Sequence, residues 1–236
     1  MGSHTTTATG PTRASAAEPL LQSWLVATLF FHGPRRFLRR RVVALTFDDG
    51  PSRWTPAVLD ALGVHGARGT FFVLGAAAAG GAEVLKRAVS EGHELGNHLF
   101  SHRDPLELDE DELERELRRT ADEVQRASGV RPRLVRPPYG GDRERVARVA
   151  ERVGLGPTVL SSLDPEDWKE EASTVIAAHV LSNVRPGSIV DLHDGVPATN
   201  RGHPSREPTV QALREILPEL TRLRYRCVTV SELLSL

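Results

Sequence analysis

The chain has 236 residues, enough for one α/β or barrel domain and at most two small ones. Its 39% apolar content supports a core but not a polytopic membrane protein, and a net charge of −1 with pI near 6.8 gives no global pull toward nucleic acid or anionic surfaces. The single cysteine, Cys227, excludes an intrachain disulfide and a Cys-rich zinc site; in a strand-like setting it reads as a core residue.

Met1-Gly2-Ser3-His4 looks like a cloning remnant, and residues 1–18 read as a disordered tail rich in Thr, Ala and Pro. Residues 19–40 form a segment with helical character. Its apolar run from Leu20 to Phe31 is too short to span a bilayer, and its arginines follow the run rather than precede it, unlike a signal peptide. The expected reading is a helix packed on the domain. A membrane-surface contact through residues 20–41 and a truncated export segment are the alternatives.

From residue 41 to 236, strand and helix signals alternate. Arg41–Phe47 is short, β-branched and apolar, as a buried parallel strand should be. Val58, Leu59 and Leu62 set a helix over 55–63. Gly69–Leu74 is a second strand, and a helix over 82–91 closes at Gly92. His93–Asn97 is a third strand. The clearest helix runs over Asp109–Ala127, with Leu113, Leu117, Ala121 and Val124 as its buried stripe and Gly129 as its stop. Arg133–Val135 and Val159–Leu160 are short fourth and fifth strands, separated by a helix that Asp142 caps. A helix over 173–184, a sixth strand Ser188–Leu192, a helix over 208–223 flawed by Pro218, a last strand Cys227–Val230 and a short helix Ser231–Leu236 complete the pattern.

Seven strands with helical crossovers imply a parallel sheet. Polar groups recur after several successive strands rather than at one switch point. This favours a distorted, incompletely closed (β/α)7 barrel over an open doubly wound sheet. The chain has no internal repeat, and no glycine motif of the phosphate-cradling kind is present.

The polar groups are few and specific. Asp48 and Asp49 leave the first strand side by side, so they point apart and can serve two roles; an ordinary Asp-Gly-Pro turn is the plainer reading. His98 and His102 are spaced so that one helical turn, or a tight loop, directs both rings to one point, with Asn97 and Ser101 as supporting partners; a pair of half-exposed histidines is the alternative. Arg136 precedes Pro137 and Pro138, whose rigid backbone suits an amide donor at Tyr139. Asp167-Trp168, with Asp164 before it, can pair with a histidine and wall a pocket, or simply start a helix. His193 stands at a strand end and can serve as a general acid, though a lone histidine is more often structural.

Taken in order, Thr46-Phe47-Asp48-Asp49-Gly50-Pro51, His98 with His102, Arg136-Pro137-Pro138-Tyr139-Gly140, Asp164 with Asp167-Trp168, and Leu192-His193-Asp194-Gly195 make the chain resemble the polysaccharide deacetylase family, carbohydrate esterase family 4. The resemblance covers residues 41–234. It implies a hydrolase that removes N-acetyl groups from N-acetylamino sugars of the chitin, chito-oligosaccharide or peptidoglycan type. It also implies one divalent metal, zinc first and cobalt or nickel as alternatives, on Asp49, His98 and His102. By the same resemblance Asp48 is the base, Arg136 its partner that keeps it ionised, and His193 the acid tuned by Asp167. The Tyr139 amide faces the oxyanion, and Pro138, Trp168 and Leu192 line the substrate pocket. Two positions depart from the family pattern: Ser161 replaces a tryptophan, and Asp191 falls where the final strand is usually apolar. These departures keep open an intracellular deacetylase of a small acetylated amine. A non-catalytic glycan-binding module is a third reading. The expected partner is the acetylated substrate alone, with no nucleic acid, for a monomer in the bacterial cytoplasm or, alternatively, at the cell surface.

Overall fold

A computed structural model describes residues 40–170, 172–199 and 204–236. The tail 1–18 and, apart from Arg40, the segment 19–40 lie outside the described residues. Among the described residues no helix is long and apolar enough to cross a membrane.

Among the described residues five strands form a parallel sheet: β1 (Val42–Asp48), β2 (Gly69–Val73), β3 (Glu94–Asn97), β4 (Ile189–His193) and β5 (Arg226–Cys227). The order is β3-β2-β1-β4, with β5 paired to the start of β1 at Val42 and Val43. Eight α-helices of the described residues accompany them: α1 (Thr55–Val64), the four-residue α2 (Gly75–Ala78), α3 (Ala82–Ser90), α4 (Glu110–Ser128), α5 (Arg143–Arg152), α6 (Ser173–Asn183), α7 (Glu207–Arg222) and α8 (Val230–Ser235).

The expected fourth and fifth strands shrink to single-residue parallel bridges, Asn97 to Val135 and Val135 to Thr158, while Leu163 bridges to Val190 on the other side of the round. Pro137, Pro138 and Pro157 flank these short runs and supply no N–H to a ladder, so the pairing cannot lengthen. The barrel is therefore incompletely closed. The last strand also stops early. Thr229 caps α8 in a reciprocal capping box with Glu232, which turns the chain at the point where the strand was expected to continue. Pro218 does not interrupt α7; the buried stripe Leu213, Ile216, Leu217 and Leu220 holds the helix through it.

Strand alternation sorts the interior. Val43, Leu45 and Phe47 of β1, with Val190 and Leu192 of β4, face the helices and join Val58, Leu59 and Leu62 of α1 and the buried stripe of α7. Val42, Ala44 and Ile189 face inward and pack with Phe72, Leu134, Val159, Val228, Val230 and Leu233. That cluster, closed by α8, plugs the end of the barrel where the strands begin. α4 packs on α5 through a separate core of Leu113, Leu117, Ala121, Val146 and Val149. α4 is well specified: Asp109 and Glu112 cap its start reciprocally, and Gly129, at φ 84°, ends it in the left-handed conformation. Cys227 is half-buried and its thiol is pushed up to about 12 by burial, in keeping with a packing role.

Candidate active site and metal centre

The inward-facing positions change character along β1 and β4. On β1 they run Val42, Ala44, Thr46, Asp48; on β4 they run Ile189, Asp191, His193. The parallel register sets Ala44 beside Ile189, Thr46 beside Asp191 and Asp48 beside His193. These two strands are thus apolar inward where they start and polar where they end. A cleft of about 1250 Å³ opens at the polar end and is lined by Asp48, Asp49, His98, His102, Arg136, Tyr139, Ser161, Asp164, Trp168, Asp191 and His193, among others.

Asp48 and Asp49 diverge because the chain turns between them. Asp49 takes φ 73°, and Gly50 follows where a Cβ would overlap the Asp194 carboxylate. Asp194 is buried beneath this turn. Its Oδ2 accepts the Thr55 hydroxyl at 2.5 Å, and burial pushes its carboxyl up to about 7. The amides of Asp194 and Gly195 both donate to the Asp48 carbonyl, at 3.0 and 3.1 Å.

His98 and His102 sit on the loop after β3, where Leu99 and His102 adopt φ 62° and 58°. Two non-glycine residues in the left-handed region are costly unless their surroundings hold them. Here the Asn97 side chain accepts the Leu99 amide at 3.0 Å and donates to the Leu117 carbonyl at 2.9 Å. Glu116 of α4 accepts the amides of Phe100 and Ser101, both at 2.8 Å, and the Ser101 hydroxyl at 2.9 Å. Asn97 and Ser101 therefore shape the loop and do not touch the rings. The ring partners are instead the Arg136 carbonyl, 2.8 Å from His98 Nδ1, and the Thr199 hydroxyl, 2.9 Å from His102 Nδ1.

With both Nδ1 atoms engaged, both Nε2 atoms face Asp49. His98 Nε2 stands 3.5 Å and His102 Nε2 3.2 Å from Asp49 Oδ1. That oxygen is buried, and no well-aligned hydrogen bond from the described residues reaches it. Burial drives the His98 pKa down to about 3, so its ring is neutral and offers a lone pair. Burial opposes ionisation of Asp49, but the contacts from His102, His193 and His98 outweigh it and hold the carboxyl below its ordinary range. Two imidazole Nε2 atoms and one carboxylate oxygen, all within 4.8 Å of one another, fit a divalent cation with a coordination position left open.

Asp48, Asp191 and His193 also converge within that distance. The guanidinium of Arg136 occupies this cluster: its Nη1 donates to Thr46 Oγ1, Asp48 Oδ1 and Asp191 Oδ1, each at 2.8 Å, and its plane lies over the Phe72 ring, 4.2 Å from the centroid. A fixed positive charge between the two carboxylates makes this a poor cation site. Burial pushes the Asp48 carboxyl above its ordinary value, and Asp191 and Asp49 add to that against the pull of Arg136. Arg136 thus pairs with Asp48 as expected, yet shares itself with Asp191 and does not hold the Asp48 pKa low.

His193 is anchored twice by the buried Asp167. Nδ1 lies 2.7 Å from Asp167 Oδ1, and the His193 amide donates to Oδ2 at 2.9 Å. Thr209 of α7 donates to the same Oδ2 at 2.6 Å. Burial works against a charged ring, but the Asp167 carboxylate, with Asp49 and Asp191 behind it, pushes the His193 pKa up to about 10.

Trp168 and Tyr139 line the cleft; the Tyr139 ring meets His102 edge-on at 4.8 Å, and its hydroxyl donates to Thr199 at 3.1 Å. Leu192 and Pro138 do not line it. Leu192 is fully buried on the helix-facing side of β4, and the alternation of the strand gives its place in the cleft to Asp191. Pro138 is buried behind the turn whose flanking Pro137 and Tyr139 reach the cleft. Sequence reasoning missed Thr199, Glu116, Thr209 and Arg206. Arg206, buried, donates to the carbonyls of Gly195 and Trp168 and so ties two site loops together. None of the four has a local signal, since each acts on a segment distant in sequence.

A family model described as polysaccharide deacetylase matches residues 36–157. A peptidoglycan-N-acetylglucosamine deacetylase of Bacillus cereus is 39% identical over 197 residues, 82% of this chain and 88% of that protein. A chitooligosaccharide deacetylase of Bradyrhizobium is 39% identical over 188 residues, 77% and 85% of the two chains. The solved structure of T48 deacetylase with substrate superposes with a TM-score of 0.75 at 34% identity, over 84% of this chain and 93% of that one.

Proposed function

The chain belongs to the polysaccharide deacetylase family, and from that premise we propose that it removes N-acetyl groups from amino sugars within an oligosaccharide or polymer, using one divalent metal, zinc, on Asp49, His98 and His102. The observation that carries the reading is the orphaned Asp49 Oδ1 facing two imidazole Nε2 atoms, with the Asp48–Arg136 and His193–Asp167 pairs in the same cleft. The relatives that act on peptidoglycan and chito-oligosaccharide supply the substrate class. The cleft of about 1250 Å³ is larger than a single amino sugar requires and favours the oligomer over a small acylated amine.

Asp49, His98 and His102 would hold the metal, which would supply Lewis acidity toward an amide carbonyl and lower the pKa of water. Asp48 takes the proton of that water; its raised pKa suits a base that must bind a proton and later give it up. Arg136 fixes the Asp48 carboxylate in place from below. The backbone amide of Tyr139 donates to the carbonyl oxygen as charge builds on it. His193, protonated and oriented by Asp167, gives its proton to the nitrogen as the C–N bond breaks. Trp168 walls the cleft beside His193.

The test is acetate release across chito-oligosaccharides, peptidoglycan fragments and small acetylated amines, run with elemental analysis of the same preparation. Release from the oligomers with about one metal per chain is the expected result. Release from the small amines alone would overturn the assignment to an oligomer.

A further inference from the structure

Behind the loop that carries His98 and His102 lies a second, smaller hollow, of about 230 Å³, lined by Arg103, Glu112, Arg115, Glu116 and Arg119. Arg103 follows His102 directly in the chain and also lines the catalytic cleft, so the two depressions meet at that side chain. Three guanidinium groups here face two carboxylates.

Those carboxylates are already engaged. Both oxygens of Glu116 brace the loop, taking the amides of Phe100 and Ser101 on one and the Ser101 hydroxyl on the other. Glu112 accepts Arg103 at 3.2 Å on one oxygen and the Asp109 amide at 3.0 Å on the other. Other acids of α4 are spent elsewhere: Glu114 on Arg118 and Arg152, Asp122 on Arg131 and Glu123 on Arg126. Arg115 and Arg119 are exposed and stand four apart on α4, a spacing at which like charges oppose the helix. No carboxylate of the described residues makes an ion pair with either. Arg119 instead lays its guanidinium over the Phe100 ring, 3.6 Å from the centroid. Stacking holds a guanidinium in place and leaves its in-plane N–H donors to a ligand. The planar fork matches a carboxylate or a phosphate, and a surplus of forks around one hollow favours an oxyanion over a neutral hydroxyl.

We propose that this hollow binds an oxyanion, carboxylate or phosphate, borne by the same glycan strand whose amino sugar occupies the cleft, and that Arg103, Arg115 and Arg119 are its ligands; this rests on the deacetylation reading above. A strand that leaves the cleft past Arg103 carries its substituents over the hollow. The site supplies binding and takes no part in bond breaking. Its effect therefore falls on KM and on the choice between acidic and neutral strands.

Chito-oligosaccharides of equal length, unmodified or bearing a carboxymethyl ether or a phosphate ester on alternate sugars, test this at low salt. They are compared on the wild-type chain, Arg115→Gln, Arg119→Gln and the double variant. The wild type is expected to favour an acidic strand over the neutral one by about tenfold in kcat/KM, carried by KM. Each single substitution should reduce that preference about threefold, the scale of one exposed ion pair, and the double variant should abolish it. High salt should abolish it in the wild type as well. A preference for either acidic strand supports the site, and the larger of the two identifies the anion. No preference in the wild type, a preference unmoved by the double variant, or an equal loss of kcat on all three strands would overturn the proposal. Inorganic phosphate, titrated calorimetrically into the wild type and the double variant, separates a site for a free anion: phosphate binding that the double variant loses, with no preference among the strands, would overturn the assignment to the substrate. Equal turnover of all three strands defeats this inference alone; no turnover of any of them at full metal loading defeats the deacetylation reading with it.

Discussion

The two ends of the barrel interior are built on the same strands by opposite means. At the end where β1 and β4 begin, Val42, Ala44, Ile189, Val228 and Leu233 belong to one apolar cluster. At the other end, Thr46, Asp48, Asp191 and His193 occupy the next inward positions of the same two strands, with Arg136 shared between Asp48 and Asp191 and His193 paired with Asp167. The apolar end gains its stability from area removed from water, a non-directional effect that tolerates small shifts. The polar end gains from directional contacts that fail if one partner is lost. Two residues along β4 thus separate a position expected to govern folding from one expected to govern chemistry.

The sharpest way to break this contrast is at the ligand loop. His98→Ala is expected to abolish metal binding and activity together while the fold persists, because the apolar end is untouched. Elemental analysis beside circular dichroism checks it, and equal metal content in variant and parent would remove His98 from the metal set. A chelator should likewise lower the Tm of the parent and leave that of His98→Ala unmoved.

Asp48→Asn keeps the shape of the side chain and its hydrogen bond from Arg136 but cannot take a proton. A loss of about 10²–10⁴ in kcat is expected, with metal content retained. A near-normal rate in the metal-loaded variant would move the base elsewhere.

At the apolar end the expectation reverses. Ile189→Ala, on the same strand as Asp191 and His193, should cost about 2–5 kcal/mol of stability, read by denaturant unfolding. Its kcat and metal content should stay close to those of the parent. If Ile189→Ala lost activity in proportion to stability, the two ends would not be separable.

The smallest expected effect is a displacement along the pH axis. His193 must carry a proton to act as an acid, and its pKa is raised to about 10, so activity should hold through neutral pH and fall only as pH rises through that region. Asp167→Asn removes the main charge that raises it, leaving burial to pull it back toward or below the ordinary 6.5. The alkaline limb should then move down by more than a pH unit. A limb that stays in place in both Asp167→Asn and His193→Ala, with residual activity measurable, would take His193 out of the acid role.

Much of this architecture was legible in the chain. The periodicities of 55–63, 109–127 and 208–223 gave helices close to those observed, because amphipathic spacing and capping act over a few residues. Asp48, Asp49, His98, His102, Arg136, Trp168 and His193 all meet in one cleft. The errors are of one kind. Leu192 was placed in the pocket by its position in a motif, yet a strand offers alternate residues to opposite faces, and which face is inside depends on the neighbouring strands. Asn97 and Ser101, read from the sequence as supporting partners of the histidines, give that support by bracing the loop backbone. The strands at 133–135 and 159–160 were expected to pair along their length but meet their neighbours at single residues.

The sequence by itself determined the elements, the helix stops and the inventory of ligand and acid–base side chains, since each follows from local periodicity, turn chemistry and residue type. Only the tertiary structure decided their partnerships. Arg136 meets Asp48 across 88 residues and Asp191 across 55, and His102 meets Thr199 across 97. Contacts of that span depend on strand register and on the loops the helices hold in place. Neither is written in any short stretch of chain, and together they set Asp191 on the floor of the cleft and Leu192 in the core.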